Sequence, residues 1–254
     1  MMESHKVEER KTQMQNRTAR KLEAFGQTIF TEMSLLAARH KAVNLGQGFP
    51  NFDGPEFVKQ AAMSAIEKGH GQYARMFGIP ELNAAIADRF EKDSGLKIDA
   101  DKHITVTSGC TEAIASSLIG LLNEGDEVLV FEPFYDSYRA ALVMAGAVPK
   151  FVTLRPPDFA ITKEQLEQAF TDKTKGVLVN TPHNPTGRVF TRAELELISE
   201  FAKRNDAIVF ADEVYDKLVF EGEHVSIATL PGMWERTVTM NSLGKTFSLT
   251  GWKI

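Results

Sequence analysis

Residues that could do chemistry together are concentrated in a few short polar segments of this chain. Lys245, in the segment Ser242-Leu243-Gly244-Lys245, supplies a primary amine that can react with an aldehyde to form a Schiff base. Asp212 supplies an anion, and Asn184 and Tyr215 supply hydrogen-bond donors. An amine, an anion and neutral donors are the groups that an aromatic aldehyde cofactor would need around it.

Each of these residues suits a different part of such a cofactor. Asp212 could keep a ring nitrogen protonated, so that the ring draws electrons, while Asn184 and Tyr215 could donate to a phenolic oxygen. Tyr135 could provide an aromatic platform for the ring. The types of these residues therefore predict a Schiff-base site with an electron-withdrawing ring.

A phosphate group would need partners of its own. Ser108-Gly109-Cys110 precedes a predicted helix, and the first amides of a helix bind anions. Ser242 could add a hydroxyl donor, and Lys253 could add a positive charge. The chain thus contains candidate partners for a phosphorylated cofactor.

The elements that must position these residues alternate along the chain. Apolar runs predict strands, and amphipathic stretches predict helices. The predicted strands cover residues 104–107, 127–131, 176–180, 207–211 and 237–241, and the predicted helices cover about 28–40, 55–69, 80–93, 111–122, 133–145 and 191–205. This pattern is typical of an α/β domain with a mostly parallel sheet, covered on both faces. Such sheets bind ligands at the carboxyl ends of their strands, where every polar segment above lies.

Three of these segments resemble the class I and II aminotransferases, which are pyridoxal 5'-phosphate (PLP) enzymes of fold type I. The segments Thr181–Gly187, Asp212–Tyr215 and Ser242–Lys245 stand in the family's order and at its spacing, and Gly251-Trp252-Lys253 follows them. The branch that the chain resembles contains kynurenine, glutamine and methionine aminotransferases. Its marks are the segments 44–50, 230–236 and 244–248.

The resemblance implies a role in the reaction for each matching residue. Lys245 would bind PLP and carry the proton, and Asp212 would pair with the pyridinium nitrogen. Asn184 and Tyr215 would donate to the phenolic oxygen, and Tyr135 would stack on the ring. The residues expected to act directly in catalysis are Lys245, Asp212 and Tyr215.

Further positions match residues that bind the phosphate or the substrate. The phosphate-binding positions are Gly109, Cys110, Ser242 and Lys253, and Tyr73 matches a tyrosine that reaches the phosphate of a neighbouring subunit. Gly48 and Asn184 match positions near the substrate carboxylate, and Phe30 aligns with an aromatic residue of the substrate pocket. The resemblance therefore implies a homodimer.

The activity that the resemblance implies is transamination. An amino group would move from an amino acid of the kynurenine, glutamine, methionine or aromatic type to a 2-oxo acid. Cysteine-S-conjugate β-lyase activity is an alternative within the enzyme class. Another is 1-aminocyclopropane-carboxylate synthase, which usually has arginine where Lys253 stands. The alternative outside that class is a non-catalytic product that binds PLP or forms dimers.

The resemblance also implies how the chain is divided. We expect a flexible N-terminal arm over residues 1–20, a segment over 21–55 that contributes to the small domain and the substrate pocket, and an incomplete PLP-binding large domain over 56–254. Family members continue beyond the lysine segment with another strand, most of the small domain and the arginine that pairs with the substrate carboxylate. The chain is thus expected to be a C-terminally truncated member.

Simpler interpretations compete at several positions. Ser242-x-x-Lys245 is also the nucleophile signature of β-lactamases, but the chain has neither Ser-Asp-Asn nor Lys-Thr-Gly. Cys110 is interpreted as a small residue that presents its amide, because no histidine pairs with it. Phe134 and Tyr138 are interpreted as packing residues.

Composition limits the remaining function classes. The formal net charge is −5, which gives no general attraction to nucleic acid or anionic lipid. No apolar run approaches the length of a membrane span. The histidines show no metal-ligand spacing. Cys110 is the only cysteine, which suits a reducing compartment, so we expect a cytoplasmic protein, with an organelle not excluded.

Overall fold

The computed structural model describes residues 19–46, 48 and 52–254 of the 254-residue chain. The described residues fall into two compact units, of which the first ends at Gly48. Most of the predicted arm over residues 1–20 lies outside the described residues, as do residues 47 and 49–51 of the predicted loop before Phe52.

The first unit contains one α-helix, α1 (Ile29–His40), after a 3-10 turn at Arg20–Leu22. The Thr28 hydroxyl accepts a hydrogen bond from the Thr31 amide and so caps the helix start. Lys41 ends the helix in a left-handed conformation. The helix predicted over residues 28–40 is therefore confirmed, and none of its residues is buried.

Within the described residues of the second unit, five parallel strands form one sheet in the order β2-β1-β3-β4-β5. The strands are β1 (Glu127–Glu132), β2 (Val148–Thr153), β3 (Thr174–Asn180), β4 (Ile208–Asp212) and β5 (Thr237–Met240). In the β3–β4 register Asn180 lies opposite Asp212, so two polar strand ends are neighbours. The predicted, mostly parallel α/β sheet is confirmed.

The helices of this unit follow the predicted alternation with the strands. They are α2 (Glu56–Glu67), α3 (Pro80–Ser94), α4 (Cys110–Leu121), α5 (Ser137–Met144), α6 (Lys163–Ala169), α7 (Arg192–Arg204) and a short α8 (Leu243–Thr246), with 3-10 turns at Ile227–Thr229, Trp234–Arg236 and Thr250–Trp252. Both α6 and α7 begin with a capping box, formed by Thr162 with Gln165 and by Thr191 with Glu194.

Alternate residues of the strands enter two separate cores. Leu129 and Phe131 of β1 pack with α7 on one face, whereas Val128 and Val130 pack with α4 and α5 on the other. The four central residues of β1 are all buried, and such a strand has a continuous apolar run in its sequence. Because the sheet is held from both faces, the carboxyl ends of its strands are fixed relative to one another.

Three features differ from the prediction. Residues 104–107 are not a strand: Val106 donates one backbone hydrogen bond to the Phe77 carbonyl, at 3.1 Å, but no described strand pairs with the segment. The β-branched residues of this segment favour extended backbone, which becomes a strand only when a neighbour bonds to it. The pattern also did not predict β2 and α6.

Candidate active site

The site is centred on Asp212, the last residue of β4. Its side chain is buried at the carboxyl edge of the sheet and is held by donors from three directions. The Tyr138 hydroxyl donates to Oδ2 at 2.5 Å, the Val214 amide donates to Oδ1 at 3.3 Å, and the Cys110 thiol donates to Oδ1 at 3.7 Å. These partners come from α5, from the turn after β4 and from the start of α4.

The electrostatic state of Asp212 is set by two opposing effects. Burial raises the pKa of Asp212 above its ordinary value, and the hydrogen bonds from Tyr138, Val214 and Cys110 oppose that rise. The donors keep their own protons, because burial and the neighbouring carboxylate raise the pKa of both Tyr138 and Cys110. A buried carboxylate with neutral donors has affinity for a cationic group such as a protonated ring nitrogen.

Lys245 lies on the short helix α8. The segment that contains this helix folds back, so that its start and its end are in contact. The Ser242 hydroxyl accepts from the Gly244 amide at 3.1 Å and donates to the Ile254 carbonyl at 2.7 Å. Gly244 is buried, and a Cβ atom there would lie 3.2 Å from Thr250 Cα. The close approach explains why the residue before Lys245 is glycine.

The amine of Lys245 is placed among the other predicted residues. Its Nζ lies 5.6 Å from the centre of the Tyr215 ring. Burial lowers the pKa of Lys245 and the positive charge of Lys253 lowers it further, while Asp212 acts in the opposite direction. A lowered pKa increases the fraction of free amine, which is the form that attacks an aldehyde.

Two further predicted residues lie beside this group. Asn184 acts to lower the pKa of Tyr215, against the larger effect of burial, so the two side chains are neighbours. The Asn184 backbone is anchored in turn, because its amide donates to Asn180 Oδ1 at 2.8 Å. Tyr135 packs edge-on against Tyr138, with ring centroids 5.7 Å apart. Burial raises the pKa of Tyr215, so its hydroxyl is a donor at neutral pH.

The start of α4 forms the part of the site suited to an anion. Gly109 adopts a left-handed φ of 74° immediately before the helix, a conformation that favours glycine. The first amides of the helix have no partner inside it and can bind an anion. A Cβ atom on Gly109 would lie 3.8 Å from Lys253 Cδ, so the lysine side chain runs beside this helix start.

His183 lies next to Asn184, but its side chain makes structural contacts. Its Nδ1 is hydrogen-bonded to the Thr186 hydroxyl at 2.7 Å, and its ring stacks on Phe190 at a centroid distance of 5.6 Å. Burial and the nearby Arg188 lower the pKa of His183 to about 4. The imidazole is therefore neutral at physiological pH and supports the turn that carries Asn184.

Three further predicted residues have roles that the described contacts do not test. Tyr73 is fully exposed. Phe30 and Gly48 belong to the first unit. Their roles toward a neighbouring phosphate and a substrate stay predictions.

Tyr138 makes a contact in the site that the sequence does not predict. Its interpretation as a packing residue is confirmed, because it lies in the core with α4 and α5. Its hydroxyl also makes the shortest contact to Asp212. A signal for this role was available, because a buried tyrosine usually finds a partner for its hydroxyl.

The residues present fit PLP in the chemistry of their donors. A buried anion suits the pyridinium nitrogen, a partly buried amine suits the aldehyde, and a helix start beside Lys253 suits the phosphate.

Among the described residues no cluster of metal-binding side chains occurs, and no helix has the length and apolar character to cross a membrane.

Fold and site together are those of the PLP-binding domain of fold type I. The family model described as aminotransferase class I and II matches residues 40–254, and the chain belongs to this family. The family uses pyridoxal 5'-phosphate, which agrees with the donors found around Asp212 and Lys245.

The chain is similar in sequence and in structure to several named aminotransferases. The chain is 43% identical to the kynurenine–oxoglutarate transaminase of Dictyostelium discoideum, over 91% of this chain and 58% of that protein. It is 40% identical to the methionine aminotransferase of Escherichia coli, over 92% of this chain and 61% of that protein. The solved structure of N-succinyldiaminopimelate aminotransferase from Mycobacterium tuberculosis matches with a TM-score of 0.91 and 45% identity, over 93% of this chain and 62% of that one. The chain thus spans about three fifths of the length of these relatives.

Proposed function

We propose that the chain carries the PLP-binding part of a transaminase that moves an amino group from an amino acid to a 2-oxo acid. The observation that carries the proposal is the joint placement of Asp212, Lys245, Tyr215 and Asn184 at one edge of the sheet. Membership of the aminotransferase family supports it.

Bound PLP supplies an electron-withdrawing ring that stabilises negative charge at the substrate's Cα atom. Asp212 would hold the proton on the ring nitrogen through its buried carboxylate. Lys245 would hold the aldehyde and, when free, would take the proton from the substrate's Cα atom, for which its lowered pKa suits it. Tyr215 and Asn184 would donate to the phenolic oxygen of the ring.

The amino acid used is expected to be of the kynurenine, glutamine, methionine or aromatic type. Kynurenine–oxoglutarate transaminases and a methionine aminotransferase among the relatives support this range. A panel of kynurenine, glutamine, methionine and phenylalanine as amino donors, with 2-oxoglutarate and a 2-oxo acid of methionine type as acceptors, distinguishes these substrates.

We also propose that the working molecule is a homodimer in the cytoplasm. The complete exposure of Tyr73 supports the dimer, because a tyrosine that binds a phosphate in a second copy must point away from its own subunit. The cytoplasmic location is supported only by the composition of the chain.

A transaminase assay on Lys245→Ala tests the proposal. The variant is expected to lose at least roughly a thousandfold in turnover, since it lacks both the attachment point and the proton carrier. Lys175→Arg, a change at an exposed lysine of β3, is the matched control and should keep full turnover. Full turnover by Lys245→Ala would show that another residue does this chemistry.

A further inference from the structure

Tyr138 is a buried group beside Asp212 whose residue type and position in the sequence predict packing but no role in the reaction. It lies in the first turn of α5, and its side chain is 2% exposed. Its hydroxyl donates to Oδ2 of Asp212 at 2.5 Å. The contact joins two elements that are far apart in the chain, since Asp212 ends β4.

The partners of the two carboxylate oxygens are unequal. Oδ1 receives the Val214 amide at 3.3 Å and the Cys110 thiol at 3.7 Å, and a thiol is a weak donor. Oδ2 receives the Tyr138 hydroxyl at the shorter distance. Short hydrogen bonds to an ionised oxygen are stronger than those between neutral groups. Tyr138 is thus the strongest neutral donor among the described contacts of Asp212.

The position of Tyr138 is itself fixed. Its ring belongs to the core on the α4 and α5 face of the sheet, and it meets Tyr135 edge to face at 5.7 Å. A packed ring with few alternative rotamers holds its hydroxyl in one direction. The hydroxyl can therefore fix the plane of the Asp212 carboxylate.

We propose that Tyr138 is a positioning residue whose hydroxyl keeps the Asp212 carboxylate ionised and directed toward the ring nitrogen of PLP. The direction of the carboxylate toward the ring nitrogen rests on the proposed function. The ionisation of Asp212 concerns the protein alone and holds whether or not the chain is a transaminase.

The consequence of removing the hydroxyl follows from electrostatics. In Tyr138→Phe the ring still fills its place, but Asp212 loses its shortest hydrogen bond. Fewer hydrogen bonds then oppose the effect of burial on the pKa of Asp212. The carboxyl group therefore keeps its proton to higher pH. A protonated Asp212 no longer pairs with a pyridinium ion, and PLP binds more weakly.

The first measurement uses the cofactor-free chain labelled with ¹³C at the aspartate carboxyl carbon. The Asp212 resonance is assigned by its loss in Asp212→Asn. Tyr138→Phe is expected to move the titration midpoint of Asp212 upward. Ser199→Ala removes another buried hydroxyl, one that donates to the Leu195 carbonyl on α7, and should leave the midpoint unchanged.

The second measurement is PLP affinity, followed by the visible absorption of the bound cofactor. Tyr138→Phe should weaken binding by roughly tenfold, the effect expected for one hydrogen bond to a charged group. Ser199→Ala should bind PLP as the unchanged chain does. Far-ultraviolet circular dichroism checks that all variants are folded.

A second variant tests the proposal if Tyr138→Phe does not fold. Replacing Tyr138 alone by 3-fluorotyrosine keeps the shape and makes the hydroxyl a stronger donor, so the Asp212 midpoint should move downward. An unchanged midpoint in the variant that folds, or unchanged PLP affinity in Tyr138→Phe, overturns the proposal. Failure of the unchanged chain to bind PLP would instead refute the proposed function, while the titration would still decide whether Tyr138 controls Asp212.

Discussion

At the scale of single residues, Asp212 shows how a candidate functional group can oppose stability. Burial raises the pKa of its carboxylate in the folded chain, and the hydrogen bonds from its neutral donors only partly oppose that rise. The folded chain therefore binds a proton at Asp212 more tightly than the unfolded chain, whose aspartate has the ordinary value of 3.8. Ionising Asp212 lowers the free energy of unfolding as the pH rises above that value.

Asp212→Asn should reveal this conflict between stability and function. Without a carboxylate to ionise, the cofactor-free variant should gain stability relative to the unchanged chain as the pH rises from about 4 to 7. PLP-dependent turnover should fall roughly a hundredfold or more, because the partner of the ring nitrogen is lost. Urea unfolding at the two pH values and a transaminase assay measure these effects. A stability difference that does not change with pH would show that Asp212 has an ordinary pKa.

Residue types predicted most members of this candidate site, and the structure added a contact that they did not predict. Lys245, Asp212, Asn184 and Tyr215 could be chosen because each follows an apolar strand and has a distinct chemistry. The contact between Tyr138 and Asp212 could not be predicted in the same way. It depends on how α5 is rotated over the sheet, and a pattern of apolar residues does not specify that rotation to within a hydrogen bond.

At the scale of elements, the start of α7 holds the turn that carries Asn184. Glu194 lies in the first turn and is buried. It accepts hydrogen bonds from the amides of Ile161 and Thr191, and it pairs with Arg188 at 2.8 Å. Burial acts to raise the pKa of Glu194, but Arg188 and these amides outweigh it and hold the pKa below its ordinary value.

Glu194→Ala should therefore destabilise the fold by about 3 kcal/mol, since it leaves a half-buried arginine without its partner. The depressed pKa means that the contribution is complete above the ordinary value of 4.5 and is lost as the pH falls through the lower folded value. Chemical denaturation across this pH range measures it. Glu196→Ala, at an exposed position of the same helix, is the control. Equal stability of the two variants at pH 7 would refute the role of Glu194.

The elements that the sequence pattern did not predict have physical reasons. In β2 only Val152 is buried, and the strand contains Pro149 and Lys150, so neither a continuous apolar run nor a clear alternation is present. Helix α6 has seven residues, which is too short for helical periodicity to be distinct. Residues 104–107 have the composition of a strand, but strand formation depends on a partner elsewhere in the chain.

At the scale of the whole molecule, the proposed role of Tyr73 toward a neighbouring phosphate implies that two copies share their sites. Lys245→Ala and Tyr73→Phe should each bind PLP poorly on their own. In a hybrid dimer, the intact Lys245 of one copy meets the intact Tyr73 of the other, so one of the two sites should recover full affinity. The doubly altered chain Lys245→Ala/Tyr73→Phe, mixed with either single variant, is the control and should show no recovery.

PLP titration of the refolded mixture measures this recovery. Affinity that stays at the level of the Tyr73→Phe variant alone would show that Tyr73 acts within its own chain or not at all. A mixture that remains monomeric in analytical ultracentrifugation would contradict the proposed homodimer directly.

Above all, we propose that Lys245 of this chain binds PLP at the edge of the sheet. Incubation with PLP, reduction with borohydride and peptide mapping by mass spectrometry test it most directly. We predict a single major modification on Lys245, which is absent in Lys245→Arg and retained in Lys175→Arg. An unmodified Lys245, or modification spread evenly over the exposed lysines, would contradict the account.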